Sequence, residues 1–143
     1  MIMAEKKYKI GYTTGVYDMF HIGHLNIIKR AKEQCEYLIV GVTTDELCIK
    51  RKNKKPIICE EERVEIVDAI KYVDKVVLQN DMDKLSAVKK YNVDAVFVGS
   101  DWQGTPAWDN YEKEFATEGC SVVYLSHTDG ISSTILRERL NKE

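Results

Sequence analysis

Five short apolar runs, separated by segments of helical period, constrain the fold of this chain more than any other feature. Most of the runs are continuous rather than alternating in polarity, which is typical of parallel strands covered by helices on both faces. We therefore expect each run to be a buried strand. The runs are YKIGYT at residues 8–13, YLIVGVT at 37–43, VDKVVL at 73–78, DAVFVGS at 94–100 and SVVYLS at 121–126.

The segments between the runs repeat apolar residues every three or four positions, which predicts helices. One helix is predicted over residues 22–34. Another contains the acidic residues 60–62 in its first turn, where the helix dipole favours them. Further helices are predicted near residues 85–91, 108–118 and 132–141. The alternation of strand and helix predicts an α/β fold, with residues 1–143 forming a single domain around one open, doubly wound, Rossmann-like parallel sheet of five strands.

The composition excludes several classes of protein. Hydrophobic residues make up 44% of the 143 residues and the net charge is −2, so we expect a globular protein without a basic field for nucleic acid. No apolar run approaches ~18 residues and no cationic leader precedes the first strand, so no membrane segment is expected. None of the four cysteines forms a C-x-x-C pair, which favours reduced thiols in a cytoplasmic protein.

Two histidines mark the first strand-to-helix junction. His21 and His24 are three positions apart at a helix start, so both rings can face one ligand, and Gly23 between them leaves room for it. Ligands of open parallel sheets bind beyond the carboxyl ends of the strands, where free helix N–H groups suit phosphate. Capping or packing, and metal ligation, are the alternatives. No third metal ligand stands close in sequence, so no metal site is predicted.

A cluster of basic residues follows the second run. Residues 50–55 are all Lys or Arg except Asn53, within the segment IKRKNKKPII at 49–58, and we interpret it as a loop. Such a cluster is either a solvated surface or a phosphate contact.

Four motifs in this chain resemble those of one family. TGVYDMFHIGH at residues 14–24 is similar to the signature of the cytidylyltransferase branch of the nucleotidyltransferase superfamily. AIKYVDKVV at 69–77, GSDW at 99–102 and HTDGISST at 127–134 resemble further motifs of that branch, in its order and near its spacing. Within the branch, the bacterial glycerol-3-phosphate cytidylyltransferases are the most similar group, and the resemblance covers essentially the whole chain.

The resemblance implies a reaction and a set of partners. CTP and a phosphorylated alcohol, with glycerol 3-phosphate as the leading candidate, would give a CDP-alcohol and pyrophosphate. It also implies Mg²⁺ bound with CTP, a homodimer and a product that feeds teichoic acid or capsule. Phosphocholine, phosphoethanolamine or another polyol phosphate as acceptor, adenylyl transfer from ATP, and a non-catalytic nucleotide-binding protein are the alternatives.

The resemblance further implies roles for individual residues. Val16, Lys71 and His127 stand where the family has threonine, arginine and arginine, which puts the contacts of those family residues in doubt. In the lysine cluster, family spacing selects Lys52 and Lys54, with Lys50, Arg51 and Lys55 as further candidates. The implied catalytic residues are His21, His24 and Lys54; the nucleotide-binding residues are Val16, Tyr17, Asp18, Gly23, Arg63, Lys71, Asp101, His127, Thr128, Gly130, Ile131, Ser132, Ser133 and Thr134; the substrate-binding residues are Lys52, Asp74, Lys84 and Trp102.

Overall fold

The computed structural model of the chain describes residues 6–126 and 138–140. Strands and helices alternate through most of the first range, and residues 138–140 are helical. The strands are β1 (Tyr8–Gly15), β2 (Cys35–Thr43), β3 (Lys75–Gln79), β4 (Ala95–Gly99) and β5 (Ser121–Leu125). The helices are α1 (Ile22–Gln34), α2 (Asp45–Lys52), α3 (Glu60–Asp68), α4 (Lys84–Tyr91) and α5 (Pro106–Ala116), with a 3₁₀ turn at Ser100–Trp102.

All five strands are parallel and lie in the order β3-β2-β1-β4-β5, which confirms the predicted fold class. The chain builds outward from β1 to one edge and then returns to build the other half beside β4. The order therefore reverses between β1 and β4, where Tyr12 pairs with Val96. Such a reversal opens a crevice at the carboxyl ends of the two strands, which is where ligands bind in open α/β sheets.

Helices cover both faces of the sheet, which explains the continuous apolar runs. Along β2, Leu38 and Val40 pack on one face with Ile28 of α1, while Ile39 packs on the other face with Phe115 of α5. Neighbouring residues of one strand thus enter different cores, so the run from Leu38 to Val40 is apolar at every position. Within the described residues no helix is long and apolar enough to cross a membrane.

Helix α2 was not predicted, because a loop was expected from residue 49 onward. Its first turn is capped by Thr44, whose hydroxyl accepts from the Leu47 amide at 3.1 Å, and Asn53 ends it in the left-handed conformation at φ 54°. The helix buries Leu47 and Cys48 and exposes its basic side. Eight residues with two buried ones give too weak an apolar period to recognise in sequence, since packing rather than propensity stabilises such a short helix.

Candidate active site

The turn between β1 and α1 has an unusual backbone. Tyr17 and Met19 have positive φ values of 55° and 49°, which non-glycine residues seldom adopt. The Tyr17 ring is buried over Gly15, where a Cβ atom would lie 2.9 Å from the ring. Burial also raises the pKa of the Tyr17 phenol, so the ring stays neutral. Tyr17 packs edge-on against His24, with ring centroids 5.5 Å apart, and so fixes the base of the histidine pair.

The two histidines cap their own helix. The Nδ1 atom of His21 accepts from the Gly23 amide at 3.0 Å, and the Nδ1 atom of His24 accepts from the His21 amide at 3.2 Å. The two rings stack with centroids 3.9 Å apart and planes at 22°. Because each Nδ1 atom accepts a hydrogen bond, each neutral ring carries its proton on Nε2. The two histidines therefore do cap the helix, which was one of the alternatives. The cap uses only the Nδ1 atoms, so the Nε2 edge of each ring is left for a ligand.

Burial keeps these rings neutral. It lowers the pKa of His24 to about 4, with the neighbouring His21 lowering it further and the Asp18 carboxylate opposing the shift. Burial also lowers the pKa of His21. The Nε2 atom of His21 is buried and has no hydrogen-bond partner among the described residues. Since a buried donor without a partner is costly, this atom is where an acceptor from a ligand would bind.

A cavity of about 390 Å³ opens at the carboxyl ends of β1 and β4 beside the histidines. It has the size of an ordinary small-molecule site. Lys52, Lys54 and Lys55 line it together with His24. The other lining residues are Thr13, Thr14, Gly15, Val16, Tyr17, Asp18, Ile27, Cys48, Pro56, Val98, Gly99 and Trp102.

Asp18 anchors the segment that returns from the lysines. Its carboxylate, 2% exposed, accepts from the amides of Ile57 and Ile58, each at 2.9 Å. The segment therefore cannot move away from the histidine turn without breaking two charge-assisted hydrogen bonds. Asp18 lines the cavity, and there its carboxylate binds these two backbone amides.

Arg63 lies behind the cavity rather than in its wall, so its predicted nucleotide contact stays a prediction. The side chain is fully buried, and its guanidinium donates to the carbonyls of Val16, Thr43 and Ile58 at 2.7–2.9 Å. It also forms an ion pair of 2.6 Å with Asp45. The turn after β1, the β2–α2 junction and the segment before α3 thus meet at one cation, so Arg63 sets the position of the cavity wall.

Lys84 lies close to the cavity, and its substrate contact stays a prediction. Its Nζ atom donates to the Thr14 hydroxyl at 2.9 Å and lies 5.7 Å from the centre of the Trp108 ring. The side chain is 8% exposed, and burial lowers its pKa to about 8.

Lys71 and Asp74 are at the wrong end of the sheet for the roles expected of them. Both precede β3, so they lie at its amino end, whereas the cavity lies at the carboxyl ends. Asp74 forms an ion pair with Lys32 at 2.6 Å and accepts from the Leu38 amide at 2.7 Å. Lys71 is exposed and lies over the Tyr72 ring at 5.2 Å. Neither residue lines the cavity, and their nucleotide and substrate contacts stay predictions.

The remaining predicted residues divide into two groups. Trp102 lines the cavity and is 48% exposed, and Asp101 precedes it in the 3₁₀ turn. The amide of Gly23 donates to the His21 ring. The predicted second phosphate motif lies outside the described residues, so its roles stay predictions. These residues are His127, Thr128, Gly130, Ile131, Ser132, Ser133 and Thr134.

Sequence reasoning missed several residues of the site. Thr14 and Cys48 line the cavity, and Asp45 joins the starts of α2 and α3 through reciprocal bonds with Glu60 at 3.0 and 3.3 Å. Thr14 stands at the end of the first strand and could have been found by its position there. Neither Cys48 nor Asp45 lies in a recognisable pattern. All four cysteines are free thiols.

A family model and several curated proteins match this chain. The cytidylyltransferase-like family model matches residues 12–139. The glycerol-3-phosphate cytidylyltransferase of Staphylococcus aureus is 37% identical over 129 residues, which span 90% of this chain and 92% of that protein. An FAD synthase of Pyrococcus abyssi is 42% identical over 88 residues, 61% of this chain and 60% of that protein.

A solved structure has the same fold. The lipopolysaccharide core biosynthesis protein of Thermoplasma volcanium superposes with a TM-score of 0.70 at 25% identity, covering 84% of this chain and 96% of its own.

Proposed function

The chain belongs to the cytidylyltransferase-like family, and from this premise we propose that it transfers CMP from CTP to glycerol 3-phosphate. A phosphate oxygen of the acceptor attacks the α-phosphorus of CTP. The new phosphorus–oxygen bond forms as the bond to the β-phosphate breaks, giving CDP-glycerol and pyrophosphate. The attacking oxygen is already anionic, so the reaction needs positioning and charge stabilisation rather than a general base.

The observation that carries this proposal is the buried, unpartnered Nε2 atom of His21, whose ring stacks on that of His24. His24 lines the cavity together with three lysines. The two Nε2–H groups donate to oxygens at the reacting phosphorus, where they stabilise charge without carrying any charge themselves. Lys52, Lys54 and Lys55 neutralise the triphosphate and the leaving pyrophosphate. Because the rings are also the helix cap, their donors are fixed before the ligand arrives, and pre-organised donors cost nothing at the moment of reaction.

Mg²⁺ is proposed to bind with CTP, held by the oxygens of the triphosphate. No cluster of three His, Cys, Asp or Glu side chains that could hold a metal ion occurs in residues 6–126 and 138–140. The described part of the chain therefore does not supply a metal cage. Bound to the nucleotide, Mg²⁺ would neutralise phosphate charge, and the chain's own lysines add to that.

Two tests of the histidines follow from the capping geometry. Asparagine places an oxygen where the ring has Nδ1, so His21→Asn and His24→Asn keep the cap and lose the Nε2 donor. Glutamine reaches the Nε2 position and loses the cap. We expect the asparagine variants to fold normally and to lose roughly 10²–10³-fold in kcat, as for removal of one donor to developing charge. Glutamine variants should keep more activity and melt at lower temperature.

The substrates are tested by pyrophosphate release. The parent chain is assayed with CTP or ATP, each with glycerol 3-phosphate, phosphocholine or phosphoethanolamine, and with glycerol as the control without phosphate. Release with CTP and glycerol 3-phosphate alone supports the proposal. Release with ATP instead would favour adenylyl transfer, for which the similarity to the FAD synthase is the supporting observation. Nucleotide binding without release in any combination would indicate a non-catalytic member of the family.

The cellular setting is also a proposal. We infer a cytoplasmic homodimer whose product feeds a surface polymer such as teichoic acid or capsule. The free thiols support a reducing compartment, and the half-exposed Leu78 on edge strand β3 offers an apolar contact for a second subunit. Light scattering of the purified chain tests the dimer, and a monomer at micromolar concentration would refute it.

A further inference from the structure

Helices α2 and α3 begin beside each other, and each one caps the other. The Asp45 amide at the start of α2 donates to the Glu60 carboxylate at 3.0 Å, and the Glu60 amide at the start of α3 donates to the Asp45 carboxylate at 3.3 Å. The side chain of Cys59, which precedes α3, does not cap that helix, so the bond from Asp45 satisfies one of its free amides. Each carboxylate also lies at the positive end of the other helix, where negative charge is stabilising. We call this pair of bonds the Asp45–Glu60 clasp.

The clasp closes the stretch of chain that carries the lysines of the active-site cavity. Residues 45–60 follow β2, run through α2 and return to the start of α3, so the two ends of the stretch meet in the clasp. We call residues 45–60 the basic excursion. The residues of the excursion that line the cavity are Cys48, Lys52, Lys54, Lys55 and Pro56.

The cations of the basic excursion repel one another. Five of them lie close together in the sequence and all are exposed: Lys50, Arg51, Lys52, Lys54 and Lys55. Mutual repulsion favours spreading these charges apart, whereas a triphosphate needs them together. Because the clasp fixes both ends of the excursion, it opposes the spreading. The more of this ordering the fold supplies, the less of the binding energy of a nucleotide is used for it.

Two further groups connect the clasp to the wall of the cavity. The fully buried Arg63 donates to the Asp45 carboxylate at 2.6 Å and to the Ile58 carbonyl at 2.9 Å, and its charge offsets the repulsion between the two carboxylates of the clasp. The Ile58 amide donates in turn to Asp18, which lines the cavity. A shift at the clasp is therefore passed along hydrogen bonds to the segment that carries the lysines.

We propose that Glu60 is a positioning residue for nucleotide binding, because through the clasp it holds the lysines of the basic excursion where they meet the triphosphate of CTP. The inference deepens the proposed function and rests on it. Glu60 is not among the described residues that line the cavity, so it acts through the chain rather than by touching a ligand. A bound triphosphate restores the order of the excursion. Loss of the clasp therefore weakens CTP binding and leaves the turnover of bound CTP almost unchanged.

Three variants at the start of α3 test the proposal. Glu60→Ala removes the acceptor of the Asp45 amide, whereas Glu60→Gln keeps an oxygen that can accept the same bond. Glu61→Ala removes the same charge from the next position, which is exposed, and is the control for net charge. We expect Glu60→Ala to raise the KM for CTP about fivefold, the scale of one lost helix cap, with kcat within about twofold. Glu60→Gln and Glu61→Ala should keep the KM of the parent within about twofold.

The division between KM and kcat separates positioning from a loss of stability. A partly unfolded variant contains fewer active molecules, so its apparent kcat falls while its KM for CTP stays the same. The proposal is overturned by an unchanged KM in Glu60→Ala, by an equal rise in Glu61→Ala, or by a failure of Glu60→Gln to recover the KM of the parent.

Hydrogen exchange tests the clasp without turnover. The amides of residues 45–60 should exchange faster in Glu60→Ala than in the parent, while those of β1 and β4 keep their protection. Faster exchange along the whole chain, or no change in residues 45–60, would overturn the proposal.

The same measurements distinguish this inference from the proposed function. If the parent releases pyrophosphate and neither the KM for CTP nor the exchange changes in Glu60→Ala, the role of Glu60 is overturned and the function stands. If no substrate combination releases pyrophosphate, but calorimetry shows that CTP binds the parent about fivefold more tightly than Glu60→Ala, the role of Glu60 stands and the transfer reaction fails. A parent that neither binds CTP nor releases pyrophosphate overturns both.

Discussion

Replacement of Asp18 by asparagine should both destabilise the fold and weaken CTP binding. The Asp18 carboxylate accepts from the amides of Ile57 and Ile58, each at 2.9 Å, in a site that is 2% exposed. Asparagine accepts one of these bonds as a neutral group and turns its own NH₂ group toward the other amide. One amide thus loses its partner, at a cost of about 1–3 kcal/mol, and the other bond loses its charge assistance, at about 1 kcal/mol.

The total, about 2–4 kcal/mol, corresponds to a fall of roughly 6–12 °C in Tm for a chain of this length. The unanchored segment also carries Lys54 and Lys55, so the KM for CTP should rise together with the loss of stability. Thermal unfolding and pyrophosphate release measure the two effects. Asp68→Asn, at an exposed site at the end of α3, is the control, and its Tm should match that of the parent.

Two results would refute the reasoning. A Tm within about 1 °C of the parent would mean that the two backbone amides find water or other partners. A lowered Tm with an unchanged KM for CTP would mean that Asp18 stabilises the fold without positioning the lysines.

Three further predictions concern the same site. Gly15→Ala places a Cβ atom 2.9 Å from the Tyr17 ring and should cost about 1–3 kcal/mol of unfolding free energy; a urea midpoint equal to that of the parent would contradict this packing. The kcat/KM for glycerol 3-phosphate should fall as pH rises through about 8, because Lys84 binds phosphate when protonated and its pKa is about 8; Lys84→Arg should extend the plateau, and an unaltered profile would exclude Lys84. Unfolding free energy should fall between pH 6.5 and about 4, since the unfolded chain protonates His24 at its ordinary pKa while the folded chain resists until about pH 4. The slope should be smaller in His24→Asn, and equal slopes would show that His24 is not buried.

The sequence determines most of the fold through two periodicities. Strands with continuous apolar runs and helices with a repeat of three or four residues are enough to predict the parallel sheet, and α1 has its predicted bounds. Helix α5 begins at Pro106, two residues before the predicted start, because Thr105 caps it and proline suits the first helical position. Helix α2 was not predicted, because the basic residues that indicated a phosphate contact were interpreted as a loop. Three of these basic residues occupy the last turn of the helix.

The site was less predictable because hydrogen-bond partners are set in three dimensions. An arginine in the first turns of a helix looks the same in sequence whether it binds a phosphate or three carbonyl groups, as Arg63 does. The end of the sheet that a residue occupies is better determined. A residue that follows a parallel strand lies at the ligand end, and one that precedes it lies at the other. Lys71 and Asp74 precede β3, so that rule places both at the other end.

The histidine pair shows why this junction carries imidazole rather than the usual capping residues. Serine, threonine and aspartate cap a helix through the side-chain oxygen, which is also the group that a ligand would need. Once it accepts the capping hydrogen bond, that oxygen is no longer available to the ligand. Imidazole has two nitrogen atoms on opposite edges of a rigid ring. In His21 and His24, Nδ1 completes the cap and thereby fixes the proton on Nε2. The fold itself therefore selects the tautomer that donates to a phosphate oxygen, and it does so whether or not the ligand is bound.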